Sequence, residues 1–124
     1  MAISIDGLDP VIHAPARLRI TAALAAGPPD RMLEFRRLRA ALGLTDGNLG
    51  AHIATLEGAG YVAVTKDFVG RRPRTRIALT ASGRRAYLVH VAALRAILDG
   101  AGAVAEACAG SRQSVPAGSG RDAG

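Results

Sequence analysis

Glycine punctuates the middle of this chain so closely that it dictates the local architecture. Arg36 to Leu42 reads as a short helix with Leu38 and Leu42 inward, and Gly43 ends it as a left-handed cap. Leu44-Thr45-Asp46-Gly47 is then a turn. A second helix runs from about Asp46 to Ala59, and Gly60 terminates it. Two short helices joined by a brief turn containing Gly form a helix-turn-helix pattern. Directly after it, Tyr61 to Lys66 alternates and is rich in β-formers, so it reads as a strand. Thr75 to Leu79 reads as its partner, and Asp67 to Arg74 forms a polar tip between them.

A helix-turn-helix followed at once by a β-hairpin is the layout of a winged helix. The expected fold class is therefore mainly α with a small β-hairpin. Upstream, Asp9 is placed to cap a helix starting at Pro10, and Ile12, Ala16, Ile20 and Leu24 recur near helical spacing. Pro15 interrupts that run and predicts a short turn followed by a longer helix. Ala26-Gly27-Pro28-Pro29-Asp30 stops it, and Met32 to Phe35 allows a strand of three residues. Downstream, Thr80 caps a last helix from Ala81 to about Asp99, ~30 Å long at ~1.5 Å per residue. Gly100, Gly102 and Gly110 argue against its continuing. Residues 1–100 are thus expected as one domain with its dimerisation helices, and residues 101–124 as a disordered tail.

Charge is concentrated rather than spread. Arg supplies all but one of the 16 basic residues, and the net charge is +6. Between Gly60 and Arg85 stand Lys66, Arg71, Arg72, Arg74, Arg76, Arg84 and Arg85 against Asp67 alone, so this stretch carries the whole excess. A localised basic patch implies a polyanion as partner, most simply double-stranded DNA. Arg71, Arg72, Arg74 and Arg76 sit at or beside the hairpin tip, each able to fork two hydrogen bonds to a phosphate. Arg74 and Arg76 alternate faces, so the four do not all reach DNA together. Lys66 adds a backbone contact. Phe35, Tyr61, Phe68 and Tyr87 are the sole aromatics, too few and scattered for a single-strand stacking platform.

On the second helix of the pair, Leu49, Ile53 and Leu56 share the core side. Gly47, Asn48, Ala51 and Thr55 lie on the other, where small residues let a helix sit deep in the major groove. Asn48 can pair with an adenine edge, and Thr55 can reach base or phosphate. Amides near Thr45 and Gly47 offer a phosphate site. His52 borders the core side and either reaches DNA or closes the packing against the wing. On the last helix, Tyr87, Val91, Leu94 and Leu98 recur at helical spacing, with Ala86, Val89, Ala93 and Ile97 as a second apolar face. One face covers the domain and the other needs a partner. A homodimer seam is expected there, with Ile12 and Ile20 from the first helix.

Other function classes find little support. Cys108 is the only cysteine, so no internal disulfide forms, and a reducing compartment fits. The first residues lack the basic and apolar segments of a signal peptide, and no run of ~18 apolar residues is free of charge. A cytoplasmic protein without a membrane span is expected. His13 and His90 stand apart in sequence, and no short-spaced His, Cys or carboxylate set suggests a metal. No catalytic constellation stands out, so neither enzyme activity nor a cofactor is expected.

Several segments together are similar to a known family. They are Leu8-Asp9-Pro10-Val11-Ile12-His13, Leu44-Thr45-Asp46-Gly47-Asn48-Leu49, His52, Leu56-Glu57, Ala59-Gly60-Tyr61-Val62, Arg72-Pro73-Arg74-Thr75, Leu79-Thr80 and Gly83. Across residues 8–98 the chain resembles the short winged-helix transcriptional regulators related to the MarR and ArsR groups. The resemblance implies a homodimeric DNA-binding repressor or activator. The reading is a sequence-specific regulator on a pseudo-palindromic operator. Its rivals are a protein-interaction module on the same scaffold and a sensor variant that also binds a small-molecule effector or a metal.

Overall fold

The computed structural model describes residues 7–110. The chain divides into two compact units after Ala93, and the first unit holds the helix-turn-helix and the sheet. The elements in chain order are α1 (Pro10–His13), α2 (Pro15–Ala25), β1 (Met32–Glu34), α3 (Phe35–Leu42), α4 (Asp46–Gly58), β2 (Val62–Val69), β3 (Arg72–Leu79) and α5 (Ala81–Ala109).

Local chemistry explains each boundary. The Asp9 carboxylate accepts from the Val11 amide at 2.8 Å and caps α1. Pro15 forces the preceding Ala14 into an extended conformation, which splits α1 from α2. Gly43 closes α3 at φ 67°, a left-handed conformation that costs glycine no steric penalty. Thr45 Oγ1 accepts from the Asn48 amide at 3.1 Å and opens α4. Thr80 Oγ1 accepts from the Gly83 amide at 2.9 Å and opens α5, while its hydroxyl donates to the Gly60 carbonyl at 2.7 Å.

The sheet is antiparallel in the order β1-β3-β2. The register pairs Val62 with Leu79 and Val69 with Arg72, leaving a turn of two residues, Gly70 and Arg71. Gly70 stands first in it at φ 63°, as a tight turn matched to strand twist requires. The hairpin is therefore longer than the sequence suggests. Residues 67–69 and 72–74 extend the strands instead of forming an open tip.

The core gathers Ile20 and Leu24 from α2, Leu38 from α3, Leu49, Ile53 and Leu56 from α4, and Val62, Ile77 and Leu79 from the sheet. Two expectations change here. Ile12 and Ile20 are both 0% exposed within a single chain, so neither is available to a dimer seam. Helical spacing alone marks a buried stripe without saying which chain covers it. Next, α5 does not stop near Asp99 but runs through Gly100 and Gly102 to Ala109. Two glycines at about 1 kcal/mol each do not end a helix otherwise rich in Ala, Val and Leu. Ser111 to Gly124, the rest of the expected tail, lie outside the described residues.

Exposure along α5 also redraws its faces. Tyr87, Val91 and Leu94 are half-buried, whereas Leu88, Val89, Ile97 and Leu98 are exposed, Leu98 at 65%. The exposed apolar residues are thus Val89 and Ile97 of the second face, Leu98 of the first, and Leu88. By length and composition α5 is also apolar enough to cross a membrane, with a mean hydropathy of 1.5 over its best 18 residues. Arg95 and Asp99 lie on this same helix.

Three segments remote in sequence meet at Asp9. Its carboxylate accepts from the Tyr61 hydroxyl at 2.5 Å, and its backbone amide donates to His90 Nδ1 at 3.0 Å. His90 is fully buried, and its Nε2 has no partner among the described residues. Burial, then the neighbouring His13, hold its pKa below the ordinary histidine range. The two rings lie 5.4 Å apart, but no group of three or more metal-ligating side chains forms among the described residues.

Candidate nucleic-acid interface

The outer face of α4 is built as its sequence suggests. Leu49, Ile53 and Leu56 are buried, and Gly47, Asn48, Ala51 and Thr55 are exposed. The capping Thr45 is exposed as well, with its side-chain oxygen engaged by the Asn48 amide. Thr55 Oγ1 donates back to the Ala51 carbonyl at 3.1 Å, which leaves its lone pairs for an outside donor. Asp46 in the first turn pairs with Arg39 Nε at 2.8 Å, so the positive helix end is partly answered from within the chain.

His52 is hydrogen-bonded toward the early helices. Its Nδ1 accepts from the Arg17 guanidinium at 3.2 Å, and Arg17 also donates to the Val11 carbonyl, tying α4 to α1 and α2. The half-buried ring is a structural tie. Arg17 drew no attention in sequence, because a lone arginine on an early helix has no motif to mark it.

Between α4 and the hairpin lies a groove of about 460 Å³, lined by Phe35, Gly50, Ile53, Ala54, Glu57, Val64, Lys66 and Thr75. Lys66 is exposed on its β2 side. Farther out, Arg71 in the turn and Arg72 beside it are exposed, and neither has an ion-pair partner among the described residues. Phe68 stands next to them at 69% exposed, an apolar side chain on a polar tip.

Arg74 and Arg76 behave differently. Arg74 grips Asp67 with both prongs, Nε to Oδ1 at 2.9 Å and NH2 to Oδ2 at 2.8 Å. Arg76 NH2 reaches the same Oδ2 at 2.8 Å. The Arg74 hydrogen bonds, with the charges of both arginines, pull the Asp67 carboxyl down to about 2. Two of the four wing arginines are therefore committed to an internal carboxylate, and between Gly60 and Arg85 the exposed cations are Lys66, Arg71, Arg72 and Arg85. Asp67, the one acid in the basic stretch, thus pairs with two of the wing arginines. The pairing has no local signal in the sequence, because its place opposite Arg74 depends on the strand register.

Comparison with known proteins agrees with this geometry. A winged-helix DNA-binding domain family matches residues 16–98. The solved structure of a transcriptional regulator homologue from Pyrococcus horikoshii OT3 is 34% identical, covers 73% of this chain and 87% of that one, and superposes with a TM-score of 0.66. A protein of Salmonella typhimurium, ytfH, shares the fold at 21% identity, 76% and 80% coverage and a TM-score of 0.58. An uncharacterised protein of Methanocaldococcus jannaschii, MJ0432, is 43% identical over 54 residues, 44% of this chain and 59% of its own length. The chain thus spans about three-fifths of that curated relative. Fold, exposed α4 face and basic wing, together with these matches, make the chain a member of the winged-helix DNA-binding family of transcriptional regulators.

Proposed function

We propose that this regulator acts in the cytoplasm as a homodimer that reads a pseudo-palindromic DNA site. One α4 from each protomer enters successive major grooves, ~34 Å apart. Asn48 and Thr55 supply base or phosphate hydrogen bonds, while Thr45, Gly47 and Ala51 let the helix come close. Arg71 and Arg72 grip the flanking phosphates or minor groove, and Lys66 adds a backbone contact. Arg74 and Arg76 stiffen the wing through Asp67 rather than touching DNA. The observation that carries the reading is the pairing, on one domain, of a helix face without bulky side chains and a hairpin tip whose arginines have no ion-pair partner among the described residues. The second copy is inferred from the uncovered Leu88, Val89, Ile97 and Leu98 on α5.

Selection of bound duplexes from a random pool tests the whole reading. The expected result is an enriched inverted repeat with half-sites one helical turn apart. A companion salt series compares the parent with an Arg71→Ala, Arg72→Ala variant. Removing each arginine that neutralises a phosphate flattens the log–log slope by about 0.9. A pool that yields no enrichment, or a folded variant with an unchanged slope, overturns the proposal.

A further inference from the structure

Phe68 is the most exposed large apolar side chain among the described residues, and it stands in the most basic stretch of the chain. The core is complete without it. Alternate residues of a strand share a face, so Val64, Lys66 and Phe68 lie on one side of β2 with their register partners Ile77, Thr75 and Pro73. Val64, Lys66 and Thr75 line the groove against α4, so this is the face turned to the recognition helix. Asp67, Arg74 and Arg76 occupy the opposite face and tie β2 to β3 behind Phe68. Pro73 is exposed too, and its ring fixes the backbone opposite Phe68. The hairpin therefore holds an apolar pair out to solvent on a braced support.

We propose that Phe68, backed by Pro73, is a wedge that enters the minor groove and parts one base step beside the α4 site. The surrounding charge selects the partner. Lys66, Arg71 and Arg72 are exposed around Phe68 and have no ion-pair partner among the described residues. An apolar protein surface seated on Phe68 would strip water from these cations and give nothing back. A duplex answers both needs, with phosphates outside for the cations and flat apolar base faces inside for the ring. Apolar side chains that insert in this way unstack a step and kink the duplex by about 20–90°. Pyrimidine–purine steps yield most readily, whereas A-tracts are stiff. Phe68 thus makes the protein choose its site partly by deformability, at a step where no side chain hydrogen-bonds a base. The inference rests on the DNA-binding reading of α4 and the wing.

The test uses the full chain and the duplex recovered by selection, with 2-aminopurine placed in turn at each position flanking the α4 contact. Binding of the parent should raise the fluorescence at one step of each half-site, as unstacking does, and energy transfer between labelled duplex ends should report a bend. Phe68→Ala should abolish both signals, and Phe68→Leu should keep part of them. Phe68 is exposed, so folding should survive, and circular dichroism checks it. The salt slope of Phe68→Ala should equal the parent's, because a phenyl ring neutralises no phosphate. Exchanging the unstacked step for a stiff A-tract should weaken the parent by about fivefold or more, the low end of what one wrong base pair costs, and leave Phe68→Ala nearly unaffected. A bound parent that raises no fluorescence at any flanking step overturns the wedge, as does a Phe68→Ala variant that keeps the signal. A variant that changes the oligomeric state while the fluorescence stays assigns Phe68 to a protein contact and overturns it too. A parent that binds no duplex at all overturns the proposed function itself, a result distinct from these.

Discussion

Asp67 and Arg74 face each other across the wing hairpin as register partners, joined by two hydrogen bonds of 2.9 and 2.8 Å. The pair locks β2 to β3 next to the turn that presents Arg71 and Arg72. A carboxylate in such a place acts as a brace.

The first prediction follows from its titration. The Asp67 carboxyl should ionise at about 2 rather than near the usual ~3.9. A depressed pKa means that the ionised form is favoured in the folded chain. Its contribution is therefore present above about 4 and fades as pH falls towards about 2. Carboxyl carbon shifts followed by NMR should show one aspartate titrating at this low value, and it should vanish in Asp67→Asn. A normal midpoint would mean that the brace does not persist in solution.

How much of the fold was legible in the sequence depended on whether the signal was local. Gly43 and Gly60, with the Leu49, Ile53 and Leu56 spacing, announce the helix pair because turn chemistry and periodicity act over a few residues. The brace was hidden because it needs a register, and register depends on placing the turn at Gly70 and Arg71. Ile12 and Ile20 point equally to a seam or to a core, because burial within one chain and burial between two leave the same pattern.

Gly83 and Gly100 should respond oppositely to alanine. A Cβ on Gly83 would collide with the Tyr61 carbonyl oxygen, and backbone cannot swing aside as a side chain can. Gly83→Ala should cost about 1–3 kcal/mol from overpacking. Gly100, with nothing within 4 Å of such a Cβ, should gain up to about 1 kcal/mol in helix stability as Ala. Urea titration reads the first, and helical content during heating reads the second. Equal effects from both would remove the claim that the start of α5 packs tightly onto the Tyr61 backbone.

Tyr61 should be slow to ionise. Its hydroxyl donates to the Asp9 carboxylate, and that bond, then burial and the charge of Asp9, raise its pKa from 10.0 to about 12. The stabilisation is complete below about 10 and is lost as pH rises through about 12. Phenolate absorbance should show a late step, and it should be missing in Tyr61→Phe. That variant should lose about 1–2 kcal/mol of stability. A Tyr61 hydroxyl that ionises near 10 would break the link between the N-terminal cap and the start of the hairpin.

Asn48 separates base reading from backbone grip. Its backbone amide is engaged by Thr45, while the residue itself is exposed. Asn48→Ala should weaken binding to the selected site by about 1–3 kcal/mol and leave random duplex nearly unaffected. Equal losses on both would make Asn48 a phosphate contact.

Assembly gives the last prediction, because the structure separates two sets of apolar residues that the sequence runs together. Leu98 is 65% exposed in one chain, whereas Ile20 is 0% exposed. A charge at Leu98 should therefore disturb only what a second copy covers. Leu98→Glu should turn a dimer into a folded monomer at micromolar concentration, with helical content retained. Ile20→Ala should instead cost about 2–5 kcal/mol of fold stability, since it opens a cavity in the protomer's own core. At temperatures where it stays folded, its dimerisation should be unchanged. Light scattering with parallel urea titration reads both quantities. A parent that is already a monomer, or an Ile20→Ala chain that dissociates while fully folded, would return the seam to α2 or abolish it, and the pseudo-palindromic site would fall with it.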